Sequence, residues 1–128
     1  MRGPLFCLVG PTGVGKSEVA LAFAEPVGAE IVCADSRQVY RGLDIGTAKP
    51  SAADRRRVPH HLLDLVDPDE PYSAGRYERE ATACLDALHA RGAQALVVGG
   101  TGLYLRALVW GLCTGPQADE RVRAEWLA

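Results

Sequence analysis

The sequence has no apolar run that approaches the roughly 18 consecutive apolar residues of a membrane-spanning helix. The apolar stretch after Met1 is too short for a secretory signal and leads directly into a glycine-rich loop. The four cysteines, Cys7, Cys33, Cys84 and Cys113, form no C-x-x-C pair and have no metal-ligand spacing. We therefore expect free thiols, a cytoplasmic location and no membrane partner.

An excess of charge of either sign is also missing. The 14 Lys and Arg residues nearly balance the 16 Asp and Glu residues, which gives a net charge of -2. Such a chain has no bulk attraction to nucleic acid, so any site for a polyanion must be local. The 48% of hydrophobic residues is ordinary for a globular protein, and the 128 residues make at most one domain.

The most informative feature that is present is a G-x-x-x-x-G-K-S pattern. It consists of Gly10, Pro11, Thr12, Gly13, Val14, Gly15, Lys16 and Ser17. An apolar run at residues 5–9 precedes the pattern and a helical pattern follows it, which is the setting of a phosphate-binding loop. The loop amides would surround a di- or triphosphate, Lys16 would neutralise its outer oxygens, and Ser17 would bind Mg²⁺. The alternative is a glycine-rich turn without a ligand.

Strand and helix signals alternate along the chain, which indicates an α/β fold. We predict a P-loop NTPase-like parallel sheet with flanking helices and with ligands at the carboxyl ends of its strands. Four strands are few for such a sheet, so we expect it to be truncated. The predicted strands are residues 5–9, 30–34, 61–66 and 95–98. The predicted helices are residues 16–25, a short basic helix that begins at a capping box of Ser51 and Asp54, a long helix from the cap Ser73 to Arg91, one through about Trp110, and one starting at Asp119.

Three details of these elements can be tested against the structure. Pro26 and Gly28 are expected to end the first helix. Cys7 and Cys33 lie in predicted strands, where we expect them to be buried as small apolar side chains. One face of the long helix is expected to pack on the sheet; its residues are Tyr77, Ala81, Cys84, Leu85 and Leu88.

Asp35 follows the second predicted strand and would lie beside the phosphate-binding loop. A carboxylate there is typical of a Mg²⁺ partner, of a general base, or of a cap for the next turn. The strand at residues 95–98 ends in Gly99 and Gly100 rather than in an acid, which argues against an ordinary ATPase. No Asn-Lys-x-Asp motif is present, which argues against a GTPase. Thr101 offers a hydroxyl in the same turn, although such a turn is weak evidence of a site.

Two further groups of polar residues are interpreted as structural. The arginines at residues 55–57 are expected to form a solvated helix face. His60 and His61 have no acid or cysteine at ligand spacing, so we interpret them as structural or surface histidines.

Five blocks taken together resemble the tRNA dimethylallyltransferase family. They are residues 10–17, 35–40 (Asp-Ser-Arg-Gln-Val-Tyr), 44–50 (Asp-Ile-Gly-Thr-Ala-Lys-Pro), 59–64 (Pro-His-His-Leu-Leu-Asp) and 99–104 (Gly-Gly-Thr-Gly-Leu-Tyr). The resemblance implies that the loop holds dimethylallyl diphosphate rather than ATP. It also implies transfer of the dimethylallyl group to the exocyclic amine of the adenosine next to the tRNA anticodon, with release of pyrophosphate.

The resemblance also implies roles for single residues. Asp35 matches the general base, and Lys16 and Thr101 match catalytic positions. Thr12 and Thr101 match positions that contact substrate, and Ser17 would hold Mg²⁺. The residues that match contacts to the tRNA anticodon stem-loop are Asp35, Ser36, Arg37, Gln38, Thr101 and Arg123.

Members of that family are usually more than twice as long as this chain. We therefore expect residues 1–128 to be an N-terminal donor-binding core, monomeric, without the further sheet structure and the inserted region that clasps the tRNA. Three alternatives stay open. They are an isopentenyltransferase that acts on AMP, a small-molecule kinase of the same fold, and an inactive remnant.

Overall fold

The chain folds around a four-stranded parallel sheet. A computed structural model describes residues 5–10, 16–42 and 49–111. The strand order is β1-β4-β2-β3, and all three neighbouring pairs are parallel, which confirms the predicted parallel α/β sheet. In chain order the elements are β1 (Phe6–Val9), α1 (Lys16–Val27), β2 (Glu30–Cys33), α2 (Ala52–Arg57), β3 (His60–His61), α3 (Ala74–Ala90), β4 (Ala95–Gly99) and α4 (Gly102–Trp110).

The two central strands are buried on both faces. Side chains alternate along a strand, so neighbouring residues of β2 and β4 enter different cores. Val32 and Val97 pack with α3 and α4 in one core. Ile31 and Leu96 pack with α1 in the other. The buried residues that α3 contributes are Tyr77, Ala81, Leu85 and Leu88, as predicted, while Cys84 is only half-buried.

Two helices begin at the predicted caps. The hydroxyl of Ser73 accepts a hydrogen bond from the Arg76 amide at 3.1 Å, at the start of α3. Ser51 and Asp54 form a reciprocal capping box at the start of α2. In each case a side chain takes up an amide that the first helical turn leaves unpaired.

The end of α1 differs in part from the prediction. Pro26 lies within the last turn, and the helix continues to Val27. Gly28 has a φ of 70°, in the left-handed region that glycine enters without steric cost. The Ala29 amide then donates to the Ala24 carbonyl at 3.0 Å, which is typical of a glycine-terminated helix. Gly28 therefore ends α1, and the expectation for Pro26 was wrong.

The third strand is much shorter than predicted. We expected it over residues 61–66, but β3 contains only His60 and His61. Leu62 and Asp64 have positive φ values of 68° and 53°, which an extended strand does not allow. The chain regains pairing at Val66, which forms an isolated parallel bridge with Tyr40.

Strand β1 pairs with β4 and with no other strand in the described part of the chain. Phe6 is 52% exposed and Val9 is 58% exposed. Cys7 is also exposed, so the expectation that it is buried was wrong, whereas Cys33 is buried as expected. The physical reason is position, because an edge strand lacks the second neighbour that covers β2 and β4.

A stacked aromatic pair fills the core between α3 and α4. The rings of Tyr77 and Tyr104 lie 4.6 Å apart at an interplanar angle of 13°. Tyr77 is fully buried, and its hydroxyl has no hydrogen-bond partner among the described residues. Burial accordingly raises the pKa of Tyr77 far above its usual value. The ring stabilises this core, while its hydroxyl costs free energy.

We predict that Tyr77→Phe leaves stability unchanged or increases the free energy of unfolding by about 1 kcal/mol, because it removes an unsatisfied buried group. Tyr77→Leu keeps an apolar side chain but loses the stack, and is expected to destabilise the fold by about 2 kcal/mol or more. Urea denaturation of the three proteins measures both effects. A large loss of stability in Tyr77→Phe would contradict the assignment of an unpaired hydroxyl.

Candidate phosphate and acceptor site

The strand order brings three chain segments to one edge of the sheet. All strands are parallel, so their carboxyl ends lie together. Gly10 follows β1, Asp35 lies two residues after β2, and Thr101 lies two residues after β4. Because β4 runs between β1 and β2, its end contacts both of the other ends. The predicted meeting of the three segments is thus a direct result of the strand order.

Two glycines allow these ends to approach closely. A Cβ atom on Gly99 would lie 2.1 Å from the carbonyl oxygen of Ala34, and one on Gly100 would lie 2.7 Å from that of Gly10. Main-chain hydrogen bonds join the same residues: the Gly10 amide donates to Gly99 at 3.4 Å, and the Thr101 amide donates to Ala34 at 3.2 Å. The two glycines at positions 99 and 100 are therefore required sterically.

Lys16 is the first residue of α1 and turns back over the end of β1. Its ammonium group donates to the Gly10 carbonyl oxygen. A Cβ atom on Gly100 would lie only 3.5 Å from the same nitrogen. The charge is thus held between the end of β1 and the start of α1, and the amides of a helix start also favour an anion. The remaining loop residues predicted to bind phosphate, at positions 11–15 and including Thr12, lie outside the described residues.

Asp35 begins a short loop at residues 35–40, which we call the β2 loop. Its Oδ1 atom accepts hydrogen bonds from the amides of Arg37 at 2.8 Å and Gln38 at 3.3 Å. The carboxylate therefore caps the next turn, one of the three roles considered for it. The other oxygen, Oδ2, has no hydrogen bond to any residue within the described ranges, so the cap leaves one oxygen available.

Thr101 connects the β2 loop to the end of β4. Its hydroxyl oxygen accepts a hydrogen bond from the Ser36 amide at 2.9 Å, across 65 residues of sequence. This contact fixes the start of the loop beside the glycine turn. Ser36 and Arg37 are exposed, as residues that contact a large ligand must be, whereas Gln38 is half-buried. Arg123, the other predicted tRNA contact, lies outside the described residues.

A cavity of about 330 Å³ lies between α1, α2 and the sheet. Its wall includes Lys16, Ser17, Asp35 and Gln38. Cys33 also contributes, but burial raises its pKa to about 12, so its thiol stays protonated and weakly nucleophilic. The remaining polar residues of the wall are Glu18, Asp54 and His60, none of which was predicted to bind a ligand.

The two histidines have structural partners. The Nδ1 atom of His60 lies 2.7 Å from the Val58 carbonyl oxygen, and burial lowers the pKa of His60. His61 lies 2.7 Å from Glu30, whose other oxygen contacts Arg91. Among residues 5–10, 16–42 and 49–111, no group of three His, Cys, Asp or Glu side chains could hold a metal ion. In the same residues, no helix is both long and apolar enough to cross a membrane.

A helix that begins with a lysine contacting the end of a parallel strand, together with an acid after a neighbouring strand, is typical of the phosphate-binding class of α/β proteins. Family models agree with this assignment. The model for IPP transferase matches residues 38–128, and the model for isopentenyl transferase matches residues 3–66. The chain belongs to the IPP transferase family.

Similar proteins support the same conclusion. The chain is 58% identical to a tRNA dimethylallyltransferase of Halorhodospira halophila over 125 residues, which cover 98% of this chain and 40% of that protein. It is also 58% identical to tRNA dimethylallyltransferase 1 of Citrifermentans bemidjiense over 119 residues, covering 93% and 39%. The chain thus spans about 40% of the length of these curated relatives.

Solved structures show the same fold. A full-length tRNA isopentenylpyrophosphate transferase from Bacillus halodurans matches with a TM-score of 0.85 at 42% identity, over 97% of this chain and 41% of that one. A eukaryotic dimethylallyltransferase studied while acting on tRNA matches with a TM-score of 0.77 at 35% identity, over 90% and 27%. The expected P-loop-type parallel sheet, present here in part, is therefore confirmed.

We predict that Gly100→Ala weakens the binding of pyrophosphate about tenfold, or about 1.4 kcal/mol, because its methyl group displaces Gly10 and Lys16. Gly102→Ala, two residues away, is a matched control, since a Cβ atom there meets nothing within 4 Å. Calorimetric titration with pyrophosphate and Mg²⁺ measures both affinities. Equal affinities for the two variants would show that the contact at Gly100 does not shape the site.

Proposed function

We propose that this chain is the donor-binding core of a tRNA dimethylallyltransferase. The reaction transfers a dimethylallyl group from its diphosphate to the exocyclic N6 amine of the adenosine next to the anticodon, and releases pyrophosphate. The observation that carries the proposal is that Lys16, Ser17 and Asp35 line the same cavity. A cation for the leaving group and a carboxylate for the nucleophile thereby border the same space.

The donor half of the reaction needs stabilisation of negative charge. When the allylic C–O bond breaks, its electron pair stays on the pyrophosphate. The Lys16 ammonium and the free amides at the start of α1 are preorganised for that charge, because they are fixed before the substrate binds. Ser17 lines the same cavity and supplies a hydroxyl of the kind that binds Mg²⁺ together with phosphate oxygens. When bound, Mg²⁺ would supply further neutralisation of the leaving group.

The acceptor half needs a base. As the new C–N bond forms, the adenine amine must lose a proton, and Asp35 is a carboxylate in the wall of the same cavity that Lys16 and Ser17 line. Its Oδ1 atom holds the β2 loop, and Oδ2 would take the proton. Ser36, Arg37, Gln38 and Thr101 border this position and are proposed to contact the anticodon stem-loop, together with Arg123. An unpaired loop base reaches such a cavity at less cost than a base in a duplex.

The end of β4 argues against the alternative of an ATP-dependent enzyme. Phosphoryl-transfer enzymes with this loop usually place an acid after a neighbouring strand to hold Mg²⁺. Here the position is Gly99, and a Cβ atom would already lie 2.1 Å from the Ala34 carbonyl. No side chain can be placed there, so the acid of an ordinary ATPase has no room.

The proposal extends to the setting in which the chain works. Three cysteines of the described part, Cys7, Cys33 and Cys84, are free, in keeping with a reducing cytoplasm. A monomer is proposed, with dimethylallyl diphosphate and tRNA as the two substrates. The direct test joins this chain to the rest of the length of the Halorhodospira halophila relative, which we call the completed enzyme. Transfer to an anticodon stem-loop supports the proposal, and transfer to AMP alone would replace it by the AMP-dependent alternative.

We predict that Asp35→Asn in the completed enzyme lowers the rate of transfer at least a hundredfold, in the range of general-base effects of about 10²–10⁴. The asparagine oxygen can still accept from the Arg37 and Gln38 amides, so the β2 loop should keep its conformation. Asp35→Ala also loses the hydrogen bonds to the β2 loop amides, so it should have a lower melting temperature than Asp35→Asn and no higher rate of transfer. Single-turnover assays and melting temperatures measure the two effects. Transfer within tenfold of the parent would remove Asp35 from the role of base.

We predict that Lys16→Met weakens the binding of dimethylallyl diphosphate by about 2 kcal/mol, roughly thirtyfold, because a charge-assisted hydrogen bond of about 1.5–3 kcal/mol is lost. Asp35→Asn serves as the comparison, since its donor affinity should stay near that of the parent. Calorimetric titration with the donor and Mg²⁺ gives both values. If Lys16→Met binds the donor normally, the ammonium does not contact the diphosphate.

A further inference from the structure

Two of the five blocks that carry the family resemblance, residues 44–50 and 59–64, contain no residue to which a step of the proposed reaction has been assigned. Within the described part of the chain, one side chain of the first block contacts one side chain of the second block. The Lys49 ammonium lies 2.5 Å from Oδ1 of Asp64, and the Lys49 side chain is only 3% exposed. The other oxygen of Asp64 accepts from Arg55 at 3.1 Å. A buried ammonium needs such partners, because water no longer solvates it.

Lys49 also contacts the β2 loop directly. Its Nζ atom donates to the main-chain carbonyl oxygen of Tyr40 at 2.5 Å. Tyr40 is the last residue of the loop that Asp35 begins. The ammonium group therefore joins the end of the β2 loop to Asp64, and it can do so because one ammonium carries three donors.

The segment around Asp64 holds the same loop through its main chain. The Asp64 amide donates to the Gln38 carbonyl at 3.1 Å, and the Leu65 amide donates to that of Val39 at 2.7 Å. Asp64 has a φ of 53°, which aspartate tolerates better than most residues. Burial acts to raise the pKa of Asp64, but the hydrogen bonds from Lys49 and Arg55 outweigh it and hold the pKa below its usual value. The Asp64 carboxylate is therefore ionised where it contacts the Lys49 ammonium.

The β2 loop is thus anchored at both ends. At its start, Thr101 accepts from the Ser36 amide. At its end, the anchor is the Lys49–Asp64 pair. The Asp35 carboxylate accepts hydrogen bonds from the Arg37 and Gln38 amides of this loop, so its orientation depends on the loop conformation.

We propose that Lys49 is a positioning residue that holds the β2 loop, through Asp64 and Tyr40, in the conformation that places Asp35 in the wall of the cavity. This inference rests on the proposed function, because it assigns Lys49 to the acceptor half of that reaction. Lys49 does not line the cavity, so it acts through the loop and not on the substrate.

The first test measures amide hydrogen exchange in the 128-residue chain, and it needs no catalytic activity. Lys49→Met is expected to speed exchange of residues 36–41 and 64–66 about tenfold or more, while α3 keeps its protection. Arg57→Met is the matched control, because it removes an exposed ion pair with Glu25 away from the loop. The proposal is overturned if the loop amides exchange equally fast in Lys49→Met and in Arg57→Met. It is also overturned if the loop amides of the parent protein already exchange at the rate of an unfolded chain.

A second variant keeps this test decisive if Lys49→Met fails to fold. Asp64→Asn retains an accepting oxygen and tolerates the positive φ, but removes the negative charge. It is expected to loosen the same amides while α3 stays protected. Unchanged loop protection in a folded Asp64→Asn protein then overturns the proposal.

The second test is kinetic and uses the completed enzyme. Lys49→Met is expected to lower kcat for transfer about tenfold to a hundredfold, since small misplacement of a reacting group has effects of this size. The KM for dimethylallyl diphosphate should stay within about twofold, because Lys16 and the donor half are untouched. A raised donor KM with unchanged kcat would assign Lys49 to the donor half instead. If the completed parent enzyme transfers nothing, the proposed function fails, while the exchange experiment still decides the role of Lys49.

Discussion

The hydrogen-bonded ladder of β4 holds together the two strand ends from which the candidate site is built. This strand pairs with β1 on one side and β2 on the other, so one element sets the distance between Gly10 and Asp35. Its end is packed so tightly that Gly99 has no space for a side chain beside Ala34. Parallel strands buried on both faces are rigid, and a site built at their ends inherits that rigidity.

Local patterns were enough to predict the elements with strong signals. Ser73 and Ser51 are caps with partners three residues away, so their role is visible in the sequence. The same holds for β1 and α1, the strand and the helix on either side of the glycine-rich pattern. These features depend on neighbours along the chain, which is why sequence reasoning finds them.

The failures at the third strand and at Cys7 concern contacts between distant segments. The third strand was predicted too long, because residues 62–66 are apolar enough for a strand, yet they turn at Leu62 and Asp64 to meet the β2 loop. Cys7 was expected to be buried, but burial depends on strand order, and β1 lies at an edge. Within the site, the type and position of Asp35 were predicted. The contact between Ser36 and Thr101 was not, because it spans 65 residues.

The open side of β1 places an unpaired strand edge next to the candidate site. In the described part of the chain, β1 pairs only with β4, and the residue after it, Gly10, is the one that Lys16 contacts. An edge with unpaired main-chain groups is a template on which a further strand can pair. A strand that paired there would lie directly beside the residue that holds the Lys16 ammonium.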